Sequence, residues 1–228
     1  GKKGHVDRAV VYQFANGAIE NDRGELAAAA ILAFEWLMRP SSIGAGYAPW
    51  AGYRGDSDPD KIQLKHRKTD ELALHPLEYI EIDEETGQEV TVLLYEDAEK
   101  ILAKVKRYGT SIVAKKNGLL FGDGTFLAHE VRELADKLRD EGKLDGSAFS
   151  LDLCRHGGMT ELEEMGLTEG QGRALSKHRT SGAYRGYAKD TEKRVLEATK
   201  KRMGLSENTE NVSKINEAKT RTKREQKP

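Results

Sequence analysis

The chain has 228 residues, 37% of them hydrophobic, which is enough for one domain with a substantial core; 37 basic side chains stand against 38 acidic ones. This near-neutral charge gives no global attraction to nucleic acid, so affinity for DNA has to come from local clusters. No membrane anchor is implied, because no apolar run approaches the roughly 20 residues that span a bilayer, and the single cysteine, Cys154, cannot form an internal disulfide and points to a reducing, cytoplasmic setting.

The chain opens Gly1-Lys2-Lys3-Gly4 with no initiator methionine and no apolar signal region, which reads as a cut or processed end. Residues 24–38 combine strong helix formers with apolar side chains at Leu26, Ala30, Ala33, Phe34 and Leu37, predicting a helix with one buried face. It ends at Arg39-Pro40, because proline disfavours helical geometry in the residue before it. A loop rich in Gly, Ser and Asp runs to Asp60. Residues 61–74 alternate apolar Ile62 and Leu64 with polar positions and resume at Leu72 and Leu74, predicting a β-hairpin with Lys68 at its tip or on its second strand. Residues 79–82 and 90–94 flank an acidic segment, 83–87, and predict a second hairpin with the look of an insertion.

Two amphipathic helices are expected at 96–107 and 126–141, separated by a short strand at 112–114 and a Gly-rich turn at 117–124. Gly122 and Gly124 belong to a Gly-Asp-Gly turn and not to a nucleotide-binding loop. Residues 151–166 predict a helix carrying Arg155 and capped by Gly166. Helices are also expected at 168–176, with Thr168 as N-cap, and at 184–202. From Gly204 onward the chain is polar and basic. The domain reading is therefore 1–204 for the folded unit and 205–228 for a tail that is mobile or packs on a neighbouring protomer. His66 and His75 have no partner at metal-ligand spacing, so no metal site is expected.

Cleaving a DNA strand with a side-chain hydroxyl needs a nucleophile, cations around the phosphoryl oxygens, a proton donor for the leaving 5′-oxygen and an acceptor for the nucleophile's proton. Arginine suits the second task because its planar fork meets two phosphate oxygens at once. Residues 151–162 (LDLCRHGGMTEL), 175–178 (LSKH) and 183–188 (AYRGYA) carry groups of this kind in order, and Tyr187 follows His178 by nine residues.

These segments resemble the second conserved box of the tyrosine recombinases, the phage-integrase family, in which an Arg-His helix start is followed by a His turn and, nine residues later, the nucleophilic tyrosine. The family's first arginine, at the end of an apolar helix about a hundred residues upstream, resembles Arg39 in Phe34-Glu-Trp-Leu-Met-Arg39-Pro. Its hairpin lysine resembles Lys68 in Lys68-Thr69. The resemblance implies an α+β fold, mostly helical, with a small antiparallel sheet. It implies that Tyr187 attacks the phosphate to give a 3′-phosphotyrosine, that Arg39, Arg155 and His178 hold the phosphoryl oxygens, and that Lys68 protonates the leaving oxygen. No metal and no cofactor are implied. Lys65, Arg67, Lys177 and Arg179 cluster around these positions as candidate DNA contacts.

The implied partners are double-stranded DNA at specific sites and further copies of the chain, a tetramer on DNA, in the nucleoid of a bacterium or phage-infected cell. The family's N-terminal DNA-clamping domain is expected in the full-length protein and has no counterpart here, unless residues 2–25 are the linker to it. One catalytic position departs from the family: three residues before Arg155 the usual His is replaced by Asp152, a weaker base when arginines hold it ionised. Ser42 likewise stands where many members carry an acid. Two other readings therefore stand beside integrase-type recombination: a catalytically weak or inactive DNA-binding relative, and a type IB topoisomerase-like strand transferase. Tyr184 is the nearest competitor to Tyr187, His156 is read as structural and Cys154 as a small buried apolar residue.

Overall fold

A computed structural model of the chain describes residues 5–66, 71–165, 171, 174–175 and 192–205. The described helices are α1 (Arg8–Glu20), α2 (Gly24–Glu35), α3 (Pro40–Gly44), α4 (Glu96–Leu102), α5 (Thr125–Asp140), α6 (Leu151–Glu164) and α7 (Glu192–Arg202). Strands β1 (Tyr53–Gly55), β2 (Asp58–His66) and β3 (Glu71–Pro76) form one antiparallel sheet, and β4 (Glu78–Ile82) and β5 (Glu89–Leu93) a second. The class is the expected α+β, mostly helical.

Helix α2 is the axis. The expectation of one buried face is corrected, because every residue from Glu25 to Glu35 is buried. The run Ala27–Ala30 makes the helix thin, so α1 and α6 both lie against it while α3, α4 and α5 touch its ends. Alanine also carries the highest intrinsic helix propensity. Residues 8–20, expected at most as a linker, form α1, which buries Val11, Phe14, Ala15 and Ala18 against this core.

The end of α2 falls at Glu35, three residues before the expected Met38. Leu37 adopts a left-handed backbone with φ 57°, a conformation costing roughly 1–2 kcal/mol for a residue with a Cβ, and the Met38 N–H turns back to the Leu32 carbonyl at 3.2 Å. Arg39 is then extended and Pro40 begins α3, where its fixed φ and missing N–H do no harm. Helix α3 is pressed onto the start of α5: a Cβ on Gly124, whose φ is 93°, would lie 2.6 Å from the Pro40 carbonyl oxygen. The Gly-Asp-Gly turn is thus a close backbone approach that seats the segment after Arg39.

In the first sheet, Ile62 pairs with His75 and Leu64 with Ala73. This register corrects the expected apolar face: Leu72 and Leu74 point outward, 62% and 41% exposed, and Ala73 and His75 are buried. Burial is decided by the partner strand, since a one-residue offset exchanges the two faces. The second hairpin forms as expected. Residues 78–99 carry nine carboxylates and no basic side chain, and Ile80 and Ile82 on β4 are 64% and 56% exposed. Helix α4 stops at Leu102 and not at residue 107. The expected strand at 112–114 does not form; Ile112, Val113 and Ala114 are buried in irregular chain held by a single bridge between Pro49 and Ser111.

Helix α6 is capped by Ser150, whose hydroxyl accepts the Leu153 N–H at 3.2 Å. It approaches the segment before α1 through Gly157 and α2 through Gly158. A Cβ on Gly157 would lie 1.9 Å from the Val6 carbonyl oxygen, and one on Gly158 would lie 2.2 Å from that of Phe34. Helix α7 ends in a Schellman turn: Gly204 is left-handed and the Leu205 N–H reaches the Lys200 carbonyl at 2.8 Å. Its Val195 and Ala198 join Leu37, Leu162, Ala174 and Leu175 in a second apolar cluster. The helix expected at 168–176 is described only at 171, 174 and 175, and residues 184–191 of the expected last helix lie outside the described residues.

Between α1, α2, α6 and α7 lies an ionic network. Glu35 accepts hydrogen bonds from Arg8 and, at 2.8 Å, from the Tyr12 hydroxyl. Glu161 accepts from Arg8 at 2.7 and 2.9 Å and from Arg202 Nε at 2.9 Å. Burial penalises both Arg8 and Tyr12, yet the carboxylates keep Arg8 charged, its pKa raised by hydrogen bonding to Glu161 and the charge of Glu35. Burial and the same Glu35 charge keep Tyr12 protonated.

Two outcomes follow from this packing. Gly158→Ala should destabilise the fold by at least about 1–3 kcal/mol, the usual range for overpacking, because backbone has to give way; urea unfolding with an unchanged midpoint would contradict the α2–α6 approach. Burial raises the Glu161 pKa, but hydrogen bonds from Arg8 and the charge of Arg202 outweigh it and the net shift is downward. Its stabilising contribution is therefore complete above the ordinary glutamate pKa and disappears as pH falls through the lowered folded value. Glu161→Gln should lower stability at pH 7 and flatten the acid limb of a Tm-against-pH curve.

Candidate active site

Two expected site residues come together where α2 gives way to α3 and α6 passes beneath. Arg39, extended and exposed, is placed by the α2 turn behind it and by Pro40 in front. Arg155 sits one turn into α6, 9% exposed, and its Nε donates to the Leu37 carbonyl at 2.8 Å. That carbonyl faces α6 because Leu37 is left-handed, so the strained residue aims the acceptor that holds the arginine. The side chain of Leu37 goes the other way, into the second apolar cluster.

Burial pushes the Arg155 guanidinium down to about 10, the positive charge of Arg39 pushes it the same way, and Asp152 opposes both. Arg39 and Arg155 are near enough to repel, and an anion bound between them would relieve the repulsion. Asp152 is exposed in the first turn of α6, one turn before Arg155, where a carboxylate also suits the helix dipole.

The hairpin is tied to the same region. Hydrogen bonds run from the Ser42 N–H to the Arg39 carbonyl at 2.9 Å, from the Tyr47 N–H to the Ser42 carbonyl at 3.1 Å, and from the Lys65 N–H to the Tyr47 carbonyl at 2.9 Å. Lys65 Nζ stands 5.7 Å above the Tyr47 ring. The ladder closes at His66 and Glu71; Arg67 and Lys68 belong to the connection between them and lie outside the described residues, as do Lys177, His178, Arg179, Tyr184 and Tyr187. Of the ten candidate positions, the structure therefore describes Arg39, Lys65, Asp152 and Arg155. Cys154 is buried, and burial pushes its thiol far above the ordinary range. No cluster of metal-ligating side chains occurs among the described residues, and no described helix is long and apolar enough to cross a membrane.

Sequence reasoning missed Leu37, Gly157, Gly158 and Arg202 as supports of the site. The paired glycines were the available signal, since two in mid-helix cost stability unless a backbone must come close.

No family model and no curated protein matches the chain in sequence. Solved structures do match in fold. The lambda integrase catalytic core is similar over 78% of this chain and 96% of its own, at 17% identity and a TM-score of 0.50. The fold is that of a tyrosine recombinase catalytic core. The longer lambda integrase, in a tetramer bound to a Holliday junction, is matched over 82% of this chain and 48% of its own, with 16% identity and a TM-score of 0.50. XerH site-specific recombinase bound to difH substrate is matched over 86% and 53%, with 13% identity and the same score. The recombinase-like core thus accounts for most of this chain and spans about half of the longer proteins.

If the two arginines form an anion site, inorganic phosphate should raise the Tm of the wild-type chain and leave Arg155→Gln unmoved at equal ionic strength. Equal shifts in both proteins would assign the effect to salt.

Proposed function

We propose that the chain is the catalytic core of a site-specific recombinase that cleaves DNA through a phosphotyrosine at Tyr187 and rejoins it to another strand. The observation that carries this reading is the convergence of Arg39 and Arg155, 116 residues apart in sequence, within a fold similar to the lambda integrase catalytic core. Order and spacing supply the rest: Lys68-Thr69 lies between the two arginines, and His178 and Tyr187 follow nine residues apart.

In this reading Arg39, Arg155 and His178 bind the non-bridging oxygens and stabilise the charge that builds on them as the Tyr187 oxygen attacks. The phosphorus–5′-oxygen bond breaks as the tyrosine–phosphorus bond forms, Lys68 delivers a proton to the leaving oxygen, and Asp152 receives the tyrosine proton. The phosphodiester is exchanged for a phosphotyrosine ester, so rejoining by another strand's 5′-hydroxyl requires no nucleotide hydrolysis. Lys65, Arg67, Lys177 and Arg179 contribute contacts to the DNA backbone. Assembly of several copies on specific double-stranded sites completes the exchange; the matched integrase and recombinase structures, bound to a Holliday junction and to a difH substrate, support this extension.

A nicked suicide substrate provides the test. The wild-type chain, joined to its native DNA-clamping segment if full-length protein is required, should form a covalent adduct that Tyr187→Phe abolishes. Arg155→Ala should slow it by about 10²–10³-fold, the usual effect of removing one such donor, and Asp152→Asn by about 10²-fold or more if the carboxylate is the base. An adduct that persists in Tyr187→Phe would refute the assignment. Supercoil relaxation without strand exchange would instead favour a topoisomerase.

A further inference from the structure

The arginine site is held by a residue that touches neither phosphate nor DNA. Arg202, in the last turn of α7, is completely buried. Its Nη1 donates to the Glu35 carbonyl at 2.5 Å and its Nη2 to the Phe34 carbonyl at 3.0 Å, while Nε donates to Glu161 at 2.9 Å. These two carbonyls belong to the last turn of α2, whose acceptors have no intrahelical donor. Arg202 therefore caps α2 from another helix, two residues before the left-handed Leu37 and four before Arg39. Phe34 is also the contact point of Gly158 on α6, three residues after Arg155.

We infer that Arg202 is a positioning residue that couples the docking of α7 to the geometry of the Arg39–Arg155 pair. The coupling has a specific route. The carbonyl that orients Arg155 comes from Leu37, and the conformation of Leu37 depends on where α2 ends. With Arg202 in place, the Phe34 and Glu35 carbonyls are satisfied and the chain turns left-handed at Leu37. The side chain of Leu37 then packs on Val195 and Ala198 of the same α7, so backbone and side-chain contacts from one helix grip the same turn. When α7 lifts, the two carbonyls, the buried Glu35 carboxylate and the partly buried Glu161 carboxylate lose a partner together, and the turn that aims the Leu37 carbonyl loses both supports. Arg8 shares Glu35 and Glu161 but bonds only their carboxylates, which separates a merely stabilising role from a positioning one.

Because coupling between sites is reciprocal, an anion held by the arginine pair must in turn tighten α7. The inference rests on the arginine pair binding phosphate, and the experiment keeps that premise distinct. Inorganic phosphate is titrated into the full chain, with affinity read from guanidinium resonances and amide exchange followed at residues 192–205. In the wild type, phosphate should slow exchange along α7. Arg202→Lys, which keeps the charge but cannot reach both carbonyls, and Arg202→Met should each bind phosphate about tenfold more weakly, within the usual span of such couplings, and lose the α7 response. Arg8→Gln, compared at conditions of equal residual stability, should keep wild-type affinity. Wild-type affinity in both Arg202 variants would overturn the inference, and so would an equal loss in Arg8→Gln. Failure of the wild type itself to bind phosphate at Arg155 would remove the premise instead.

Discussion

The fold depends on the ionic network at the end of α2. Two carboxylates, the buried Glu35 and the partly buried Glu161, are each answered by arginines from α1 and α7. Removing one partner from such a group typically costs about 3–5 kcal/mol, because the charge left behind has nowhere to go. The chain is thereby committed to bringing α1, α2, α6 and α7 to one point, although Arg8 and Arg202 stand 194 residues apart in sequence. Ordinary apolar packing would hold these helices without fixing their register. Directional hydrogen bonds to two specific carbonyls fix it.

That register matters because the arginine pair has no internal means of holding its own shape. Arg39 and Arg155 repel each other, and burial opposes the charge of Arg155. Their closeness is maintained from outside: by the Leu37 carbonyl, by Gly158, which lets α6 come within backbone contact of α2, and by the Gly124 approach that seats α3. Part of the energy of folding is spent on holding two like charges together.

Much of this was legible in the sequence, for physical reasons that differ from place to place. The helix at α2, both hairpins and the α5 and α6 helices announce themselves through periodicity and turn residues. Arg39 and Arg155 are singled out by their order and by the motif around them, and the fold brings the two near one another. What could not be read is what depends on partners. Leu72 and Leu74 look like core residues until β2 dictates the register. Residues 8–20 look like a linker because the surface that buries α1 lies on α2. The early end of α2 was hidden because Leu37 carries no Gly or Pro signal, and its conformation is imposed by α6 and α7. Arg202 looked like one more charge in a basic stretch, Lys200-Lys201-Arg202, and only the tertiary fold distinguishes the arginine that goes inward.

The acidic β4–β5 hairpin alters what the near-zero net charge means. With nine carboxylates and no cation between residues 78 and 99, the other 206 residues carry a net charge of +8. The near-zero total is therefore a sum of unlike parts, an acidic block of 22 residues set into an otherwise cationic sequence. A titration of the whole chain reports only that sum and is blind to how the charge is divided along it.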